Sequence, residues 1–173
     1  GSAMRIAPVG WAFETEREVL AAAEVSASCT HNHPEGIKGA QATALCIFLA
    51  RQGHTASDIR ARIERDFGYD LSMSVEELQR RYSWQGIDGK GDGGICQDSV
   101  PQAIICVLQA KDFEDAIRNA ISIGGDSDTI GCIAGGIAEA LYGIPESIKE
   151  RAWKYLDETE DRTVRSFIQK YSI

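Results

Sequence analysis

The 173-residue sequence lacks the features that mark several classes of protein. No apolar stretch is both long enough and uncharged enough to span a membrane. The first residues have neither the basic region nor the apolar core of a signal peptide. The formal net charge of −8 argues against a nucleic-acid partner, because affinity for a phosphate backbone comes from clustered Lys and Arg. We therefore expect a cytoplasmic protein that binds neither membranes nor nucleic acid.

Cysteine is also sparse, with five residues and no CxxC spacing among them. This excludes the usual zinc cage and the usual redox pair. An odd number of cysteines set mostly among apolar residues is typical of free, mostly buried thiols in a reducing compartment.

Helical periodicity covers most of the chain, and no convincing period-two strand interrupts it. The length suits one domain with a sizeable core, so we expect a single domain over residues 1–173. The pattern predicts about eight helices in an all-α, compact orthogonal multi-helix domain. Residues 1–13 have no helical period and contain Pro8 and Gly10, which predicts a loop. Ser99 is a good N-cap for a nearly apolar, central helix.

One long segment has almost no apolar content. Five glycines lie between Ser83 and Asp98, which predicts a mobile Gly-rich loop over residues 83–98. Asp88 and Asp92 in this loop either approach a metal or are solvated loop acids, and the composition favours solvated acids.

The run from Gly124 to Thr129 places two carboxylates around a serine, where a flexible turn meets a helix of small residues. Oxygen ligands in this arrangement suit a hard cation such as Mg²⁺ or Ca²⁺. The alternative is that Asp126 or Asp128 is simply the helix N-cap. Two acids exceed what capping requires, and they repel each other unless a cation or donors compensate. The pattern therefore favours a metal site.

Two other stretches carry polar groups at turns. The small residues Gly1, Ser2 and Ala3 form either a turn whose N–H groups face an anion, or a cloning remnant ahead of Met4. His31 and His33 lie at the start of a helix that Pro34 opens. No further Cys or His lies nearby, so a hydrogen-bonding role is favoured over metal ligation.

The segment GGDSDTIGCIAGGIAEALYG resembles the metal signature of the ADP-ribosylglycohydrolase family, that is, dinitrogenase-reductase-activating glycohydrolase and its relatives. The segments GSAMRIAPVGW, THNHPEGIKGA and CQDSVPQAI resemble further family segments in the family's order. The resemblance spans nearly the whole chain. It implies an all-α fold, two bound Mg²⁺ (or Mn²⁺) ions, and hydrolysis of the bond between ADP-ribose and a protein side chain or related acceptor.

The resemblance also implies roles for individual residues. Asp126, Asp128 and Thr129 would be metal ligands. The loop that cradles the diphosphate would consist of Gly1, Ser2, Ala3 and Met4, with Arg5 just after it. His31 and His33 would lie at the ligand cleft.

The chain departs from the family pattern in one respect. Family members begin with a further segment, whose Thr-Asp-Asp motif and upstream Glu supply the other metal ligands and the acid/base group. The chain therefore resembles the C-terminal two-thirds of the family domain. The N-terminal part has been removed, is supplied by another chain, or is missing from a truncated natural product. We expect the chain alone to bind metal weakly, to turn over little or nothing, and to expose apolar surface that promotes self-association or binding of the missing segment.

Two functions from different classes therefore stay open. One is a metal-dependent hydrolase that releases ADP-ribose, and the other is a non-catalytic helical module for nucleotide binding or assembly. A nucleotide phosphohydrolase would share the metal chemistry of the first.

Overall fold

Helices account for most of the molecule, which confirms the predicted all-α class. The computed structural model describes residues 1–171, and 68% of the chain is helical. Ten helices lie in this part of the chain, where the sequence predicts about eight. They are α1 (Ala7–Ala12), α2 (Glu16–Ser28), α3 (Pro34–Arg51), α4 (Ala56–Phe67), α5 (Val75–Arg81), α6 (Cys96–Leu108), α7 (Phe113–Ser122), α8 (Ser127–Tyr142), α9 (Glu146–Trp153) and α10 (Glu158–Tyr171).

Short polar side chains set the starts of several helices. Thr15, Thr55 and Ser74 form reciprocal capping boxes at the starts of α2, α4 and α5. Asp112 caps α7 by accepting the N–H of Asp115 at 2.8 Å. Each cap satisfies an N–H group that the first turn of a helix leaves without a partner.

The core is built around α3, in which twelve of eighteen residues are buried. This helix packs against α1, α2, α4, α6 and α8. Its contact with α1 is close, because a Cβ at Gly10 would lie 2.6 Å from Cβ of Ile47. The small residues of α8 allow a similar approach, since a Cβ at Gly136 would lie 3.0 Å from Cβ of Ala7. Glycine costs a helix about 1 kcal/mol relative to alanine, and here close packing offsets that cost.

Two boundary predictions are wrong. Residues 1–13 are not all loop, because α1 covers Ala7–Ala12. Pro8 is tolerated because it lies in the first turn of the helix. Packing against α3 stabilises this short helix. Ser99 is not an N-cap, because α6 begins earlier, at Cys96. The Ser99 hydroxyl is part-buried and donates to the Ile95 carbonyl at 2.9 Å.

The segment 83–98 has more local structure than a glycine-rich composition indicates. It contains part of a small hairpin, in which β1 (Tyr82–Ser83) pairs antiparallel with β2 (Gly86–Ile87). Its last residues form the start of α6. Asp88 adopts a positive φ of 53° and pairs with Arg81 at 2.8 Å. The mobility of this segment stays a prediction.

Contacts along the chain divide it into two units, one over Gly1–Tyr142 and one that begins at Gly143. The first contains α1 to α8 and the hairpin. The second contains α9 and α10, where the Arg165 guanidinium lies 4.8 Å from the centre of the Trp153 ring. The single-domain prediction therefore stays a prediction. Among residues 1–171 no helix is both long and apolar enough to cross a bilayer.

Candidate functional site

The turn before α8 is shaped by two consecutive glycines in the left-handed region. Gly124 has φ 75° and Gly125 has φ 65°. A Cβ at Gly125 would lie 2.5 Å from Cε1 of Tyr82, whereas a Cβ at Gly124 would have nothing within 4 Å. The turn is therefore held tightly against β1 on one side, and this contact positions the residues that follow.

Asp126, Asp128 and Thr129 all lie at the N-terminal end of α8. The Asp126 carbonyl accepts the N–H of Ile130 at 3.0 Å, so Asp126 occupies the N-cap position. Asp126 and Thr129 are half-buried, whereas Asp128 is exposed. The helix dipole favours negative charge here, so the capping role that the sequence left open is compatible with the geometry.

The two aspartates also interact electrostatically. A hydrogen bond from Asp126, followed by backbone N–H groups at Thr129 and Asp128, lowers the pKa of Asp128 below its usual value. Two neighbouring carboxylates repel each other unless a cation or hydrogen-bond donors compensate, so this pair suits a bound cation. Together with the Thr129 hydroxyl they form a hard oxygen donor set, which fits Mg²⁺ or Mn²⁺. Within residues 1–171 no cluster of three His, Cys, Asp or Glu side chains exists, so this set is at most part of a metal site.

The N-terminal turn lies beside α8 and so brings distant parts of the sequence together. The Cys132 thiol donates to the Met4 carbonyl at 3.3 Å. Cys132 follows Asp128 by one helical turn, and its pKa is raised by burial and then by the charge of Asp128. The turn formed by Gly1, Ser2, Ala3 and Met4 therefore contacts the helix that carries the two aspartates.

Ser2 and Arg5 both have protein partners. The buried Ser2 hydroxyl donates to the Gly36 carbonyl at 2.7 Å, which ties the N-terminal turn to α3. The Arg5 guanidinium donates to the Ser26 carbonyl at 2.7 Å and to the Thr30 hydroxyl at 2.5 Å. These contacts give both side chains a role in holding the turn, and their role toward a diphosphate stays a prediction.

The two histidines differ in position. The His31 ring covers Gly1, because a Cβ there would lie 2.6 Å from Nε2. Burial, and then the charge of Arg5, lower the pKa of His31, which favours the neutral ring. His33 is exposed and caps α3, accepting the N–H of Glu35 at 3.2 Å. The structure thus brings His31 to the N-terminal turn and gives His33 the capping role.

Tyr82 is a residue of this region that the sequence does not single out. It is buried, and its hydroxyl donates to the Gly93 carbonyl at 3.3 Å. Burial, then the charges of Asp98, Asp126 and Asp92, raise its pKa. Tyr82 therefore joins the glycine-rich segment to the aspartate pair. A tyrosine before a glycine-rich stretch has no distinguishing pattern, so only the fold reveals this position.

The acids of the glycine-rich segment serve local turns. Asp92 accepts the N–H of Gly94 at 3.0 Å, and its own N–H donates to Asp98 at 2.8 Å. Asp88 pairs with Arg81. These contacts agree with the favoured interpretation of Asp88 and Asp92 as loop acids.

Comparison with known proteins finds a matching family model and related proteins. A family model described as ADP-ribosylglycohydrolase matches residues 1–172. The chain is 30% identical over 200 residues to the human ADP-ribosylhydrolase ARH3, covering 92% of this chain and 55% of that protein. It is 28% identical over 169 residues to the ADP-ribosylarginine hydrolase Tri1 of Pseudomonas putida, covering 88% and 42%.

Among solved structures, one described as an ADP-ribosylglycohydrolase-related protein complex aligns with a TM-score of 0.72 at 26% identity. The alignment covers 99% of this chain and 60% of that one. The chain spans about half the length of the curated relatives it matches, with 55% and 54% of the human and bovine ARH3 proteins covered.

Proposed function

Because this chain belongs to the ADP-ribosylglycohydrolase family, we propose that it is part of a metal-dependent hydrolase that removes ADP-ribose from a protein side chain or related acceptor. The observation that carries the proposal is the contact between the N-terminal turn and α8. This contact places the N-terminal turn, a candidate phosphate-binding turn, beside the helix that carries Asp126 and Asp128, which lie near the other end of the first unit. The names of the human and Pseudomonas relatives support the same chemistry.

The proposed metal ligands in this chain are Asp126, Asp128 and Thr129, which would hold one side of a site for two Mg²⁺ or Mn²⁺ ions. The closeness of the two aspartates at one helix end supports this assignment, because neighbouring carboxylates repel each other unless a cation or hydrogen-bond donors compensate. When bound, the metal ions supply Lewis-acid stabilisation and water activation.

The chain's own residues bind and orient the substrate in this proposal. The backbone N–H groups from Gly1 to Met4 would face the diphosphate, since successive N–H groups in a turn make an anion-binding concavity. His31 beside Gly1 would contact the ligand as a neutral ring, which can both donate and accept a hydrogen bond. His33, the other histidine proposed for the ligand cleft, would contact the ligand from the N-cap position of α3.

The proposed reaction is the hydrolysis of the bond between ADP-ribose and its acceptor. The bond between the ribose anomeric carbon and the acceptor breaks, and the oxygen of water joins that carbon. The proton goes to the acceptor, so the products are ADP-ribose and the unmodified side chain. We propose that the acid/base group for this step lies outside the present sequence.

We further propose that the surface beside α8 packs against the rest of the family domain, or against a second copy of this chain. Met4 is 36% exposed and Ile121 is 51% exposed. A Cβ at Gly131 would lie 3.3 Å from Cδ1 of Ile121, so this apolar side chain lies directly over α8. Exposed apolar side chains beside a partial site are typical of an interaction surface.

Metal binding tests the ligand assignment. In isothermal titration with Mn²⁺, we expect weak binding by the 173-residue chain, and loss of it in an Asp126→Asn, Asp128→Asn variant. Asp112→Asn is the matched control, because Asp112 also starts a helix but belongs to α7. Tight binding of two ions would contradict a partial site, and unchanged binding in the double variant would contradict the assignment of ligands.

Product analysis tests the reaction. ADP-ribosylated arginine and serine peptides are incubated with the chain alone and with a polypeptide that includes the remaining family segment, and products are identified by mass spectrometry. We expect ADP-ribose release only with the longer polypeptide. Release of AMP, which leaves phosphoribose on the peptide, would indicate a nucleotide phosphohydrolase instead. ADP-ribose binding without any turnover by the longer polypeptide would favour the non-catalytic module.

A further inference from the structure

A cavity of about 450 Å³ lies in the first unit, between the first turns of α3 and α6 and the segment after α4. Its polar lining comes from Glu35, Lys38, Tyr69, Asp70, Asp98 and Gln102. None of these residues belongs to the aspartate pair or to the N-terminal turn. The apolar part of the lining includes Met73 and Pro101.

Two enclosed polar atoms of this cavity lack hydrogen-bond partners within residues 1–171. One is Oε2 of Glu35, in the first turn of α3. Tyr69 is 6% exposed, and its enclosed hydroxyl has no hydrogen-bond partner in the same part of the chain. Buried polar groups are almost always hydrogen-bonded in native proteins, so this lining is incomplete without a ligand or bound water.

The charges of the lining favour a cation. Lys38 is already engaged, because its ammonium lies 3.6 Å from the Glu35 carboxylate and 4.6 Å from the centre of the Tyr69 ring. Asp70 and Asp98 form no ion pair with any Lys, Arg or His of residues 1–171. Each accepts one backbone N–H, from Ser72 at 2.9 Å and from Asp92 at 2.8 Å, and each has further acceptor capacity. Three carboxylates therefore share the cavity with one ammonium group.

From this lining we infer that the cavity binds an alkylguanidinium group, with its planar head between Asp70, Asp98 and the carbonyl of Gln102. A guanidinium presents five N–H donors in a rigid fork and stays charged, so it can satisfy separate acceptors at once. The alkyl stem lies along Met73 and Pro101. A metal ion is a poorer fit, because the three carboxylates of this lining do not form a group that could hold a metal ion, and no such group is found within residues 1–171.

The test uses the 173-residue chain with butylguanidinium and butylurea, which have nearly the same shape and differ by one charge. No ADP-ribose or metal is added, so the result does not depend on the proposed function. We expect butylguanidinium to bind at least about tenfold more tightly, since hydrogen bonds to charged groups are the stronger ones. Its addition should shift the side-chain amide signals of Gln102 in a ¹H–¹⁵N spectrum. Equal binding of the two probes, or no shift at Gln102, would overturn the inference.

Variants locate the site. Asp98→Asn and Asp70→Asn should each weaken butylguanidinium binding by about tenfold, because each removes one charge-assisted contact. Asp70 is exposed, so its variant keeps the test valid if Asp98→Asn fails to fold. Glu76→Gln removes a charge outside the cavity and should leave binding unchanged. A loss in Glu76→Gln equal to that in the two aspartate variants would indicate a general charge effect and overturn the assignment.

The guanidinium group could come from a small molecule or from an arginine side chain of a protein. Agmatine and a blocked arginine tripeptide distinguish these sources. Binding of agmatine alone identifies a small-molecule site, and comparable binding of the peptide identifies a protein arginine. Failure of both to compete with butylguanidinium would refute the site.

Discussion

Replacing Gly125 by alanine tests how the turn before α8 is held in place. Gly125 and Gly124 both have positive φ, so alanine at either position costs about 1 kcal/mol of backbone strain. At Gly124 nothing lies within 4 Å of the added Cβ, so the strain is the whole cost. At Gly125 the Cβ would lie 2.5 Å from the Tyr82 ring and 3.2 Å from the Ser83 carbonyl. Overpacking of this kind adds about 1–3 kcal/mol, so we expect about 2–4 kcal/mol in total.

Urea denaturation followed by circular dichroism measures the difference. With a slope of about 2 kcal/mol per molar urea, Gly124→Ala should lower the midpoint by about 0.5 M, and Gly125→Ala by about 1–2 M. Gly124→Ala is the matched control, because it shares the backbone strain but lacks the contact.

A double-mutant cycle identifies the contact responsible. In a Tyr82→Leu background, most of the extra cost of Gly125→Ala should disappear, because the clashing ring atom is gone. Equal midpoints for Gly124→Ala and Gly125→Ala in the original background would refute the reasoning. The turn would then not be held by Tyr82, and the position of Asp126 would depend on other contacts.

Two further predictions concern other contacts in the first unit. Hydrogen bonds from Arg65 and then Arg62 lower the pKa of Asp66 from 3.8 to about 2. The ionised Asp66 side chain therefore stabilises the fold above pH 3.8, and this stabilisation is lost as the pH falls toward 2. Asp66→Asn should therefore lower the urea midpoint at pH 6, with a deficit that shrinks in acid; a deficit independent of pH would contradict the ion pairing. The Tyr142 hydroxyl shares its one proton between the carbonyls of Ala110 at 2.8 Å and Val107 at 3.0 Å, and Tyr142→Phe should cost about 1–2 kcal/mol in the same assay. An unchanged midpoint would show that water replaces these bonds at no cost.

Local patterns predict the helical class and many of the helix ends. The capping box at Ser74 pairs side chains and backbone groups three residues apart, so both of its residues lie within one short stretch of sequence. The prediction fails at α1, where a six-residue helix with a proline and a glycine depends on packing against Ile47. It also fails at the start of α6, because Ser99 donates back to Ile95 instead of capping the helix. Neither outcome follows from local propensity, since distant contacts decide both.

The candidate site also has features that the sequence determines and features that only the fold decides. By itself the sequence determines that Asp126, Asp128 and Thr129 are neighbours at one helix end, because three residues so close in the chain cannot separate within one helical turn. It also identifies the family, because the motif residues stand in a fixed order. Only the tertiary structure decides that the N-terminal turn contacts Cys132, that His31 covers Gly1, and that Tyr82 holds the turn before α8. These contacts join residues that are far apart in the chain, and packing of whole helices determines which of them meet.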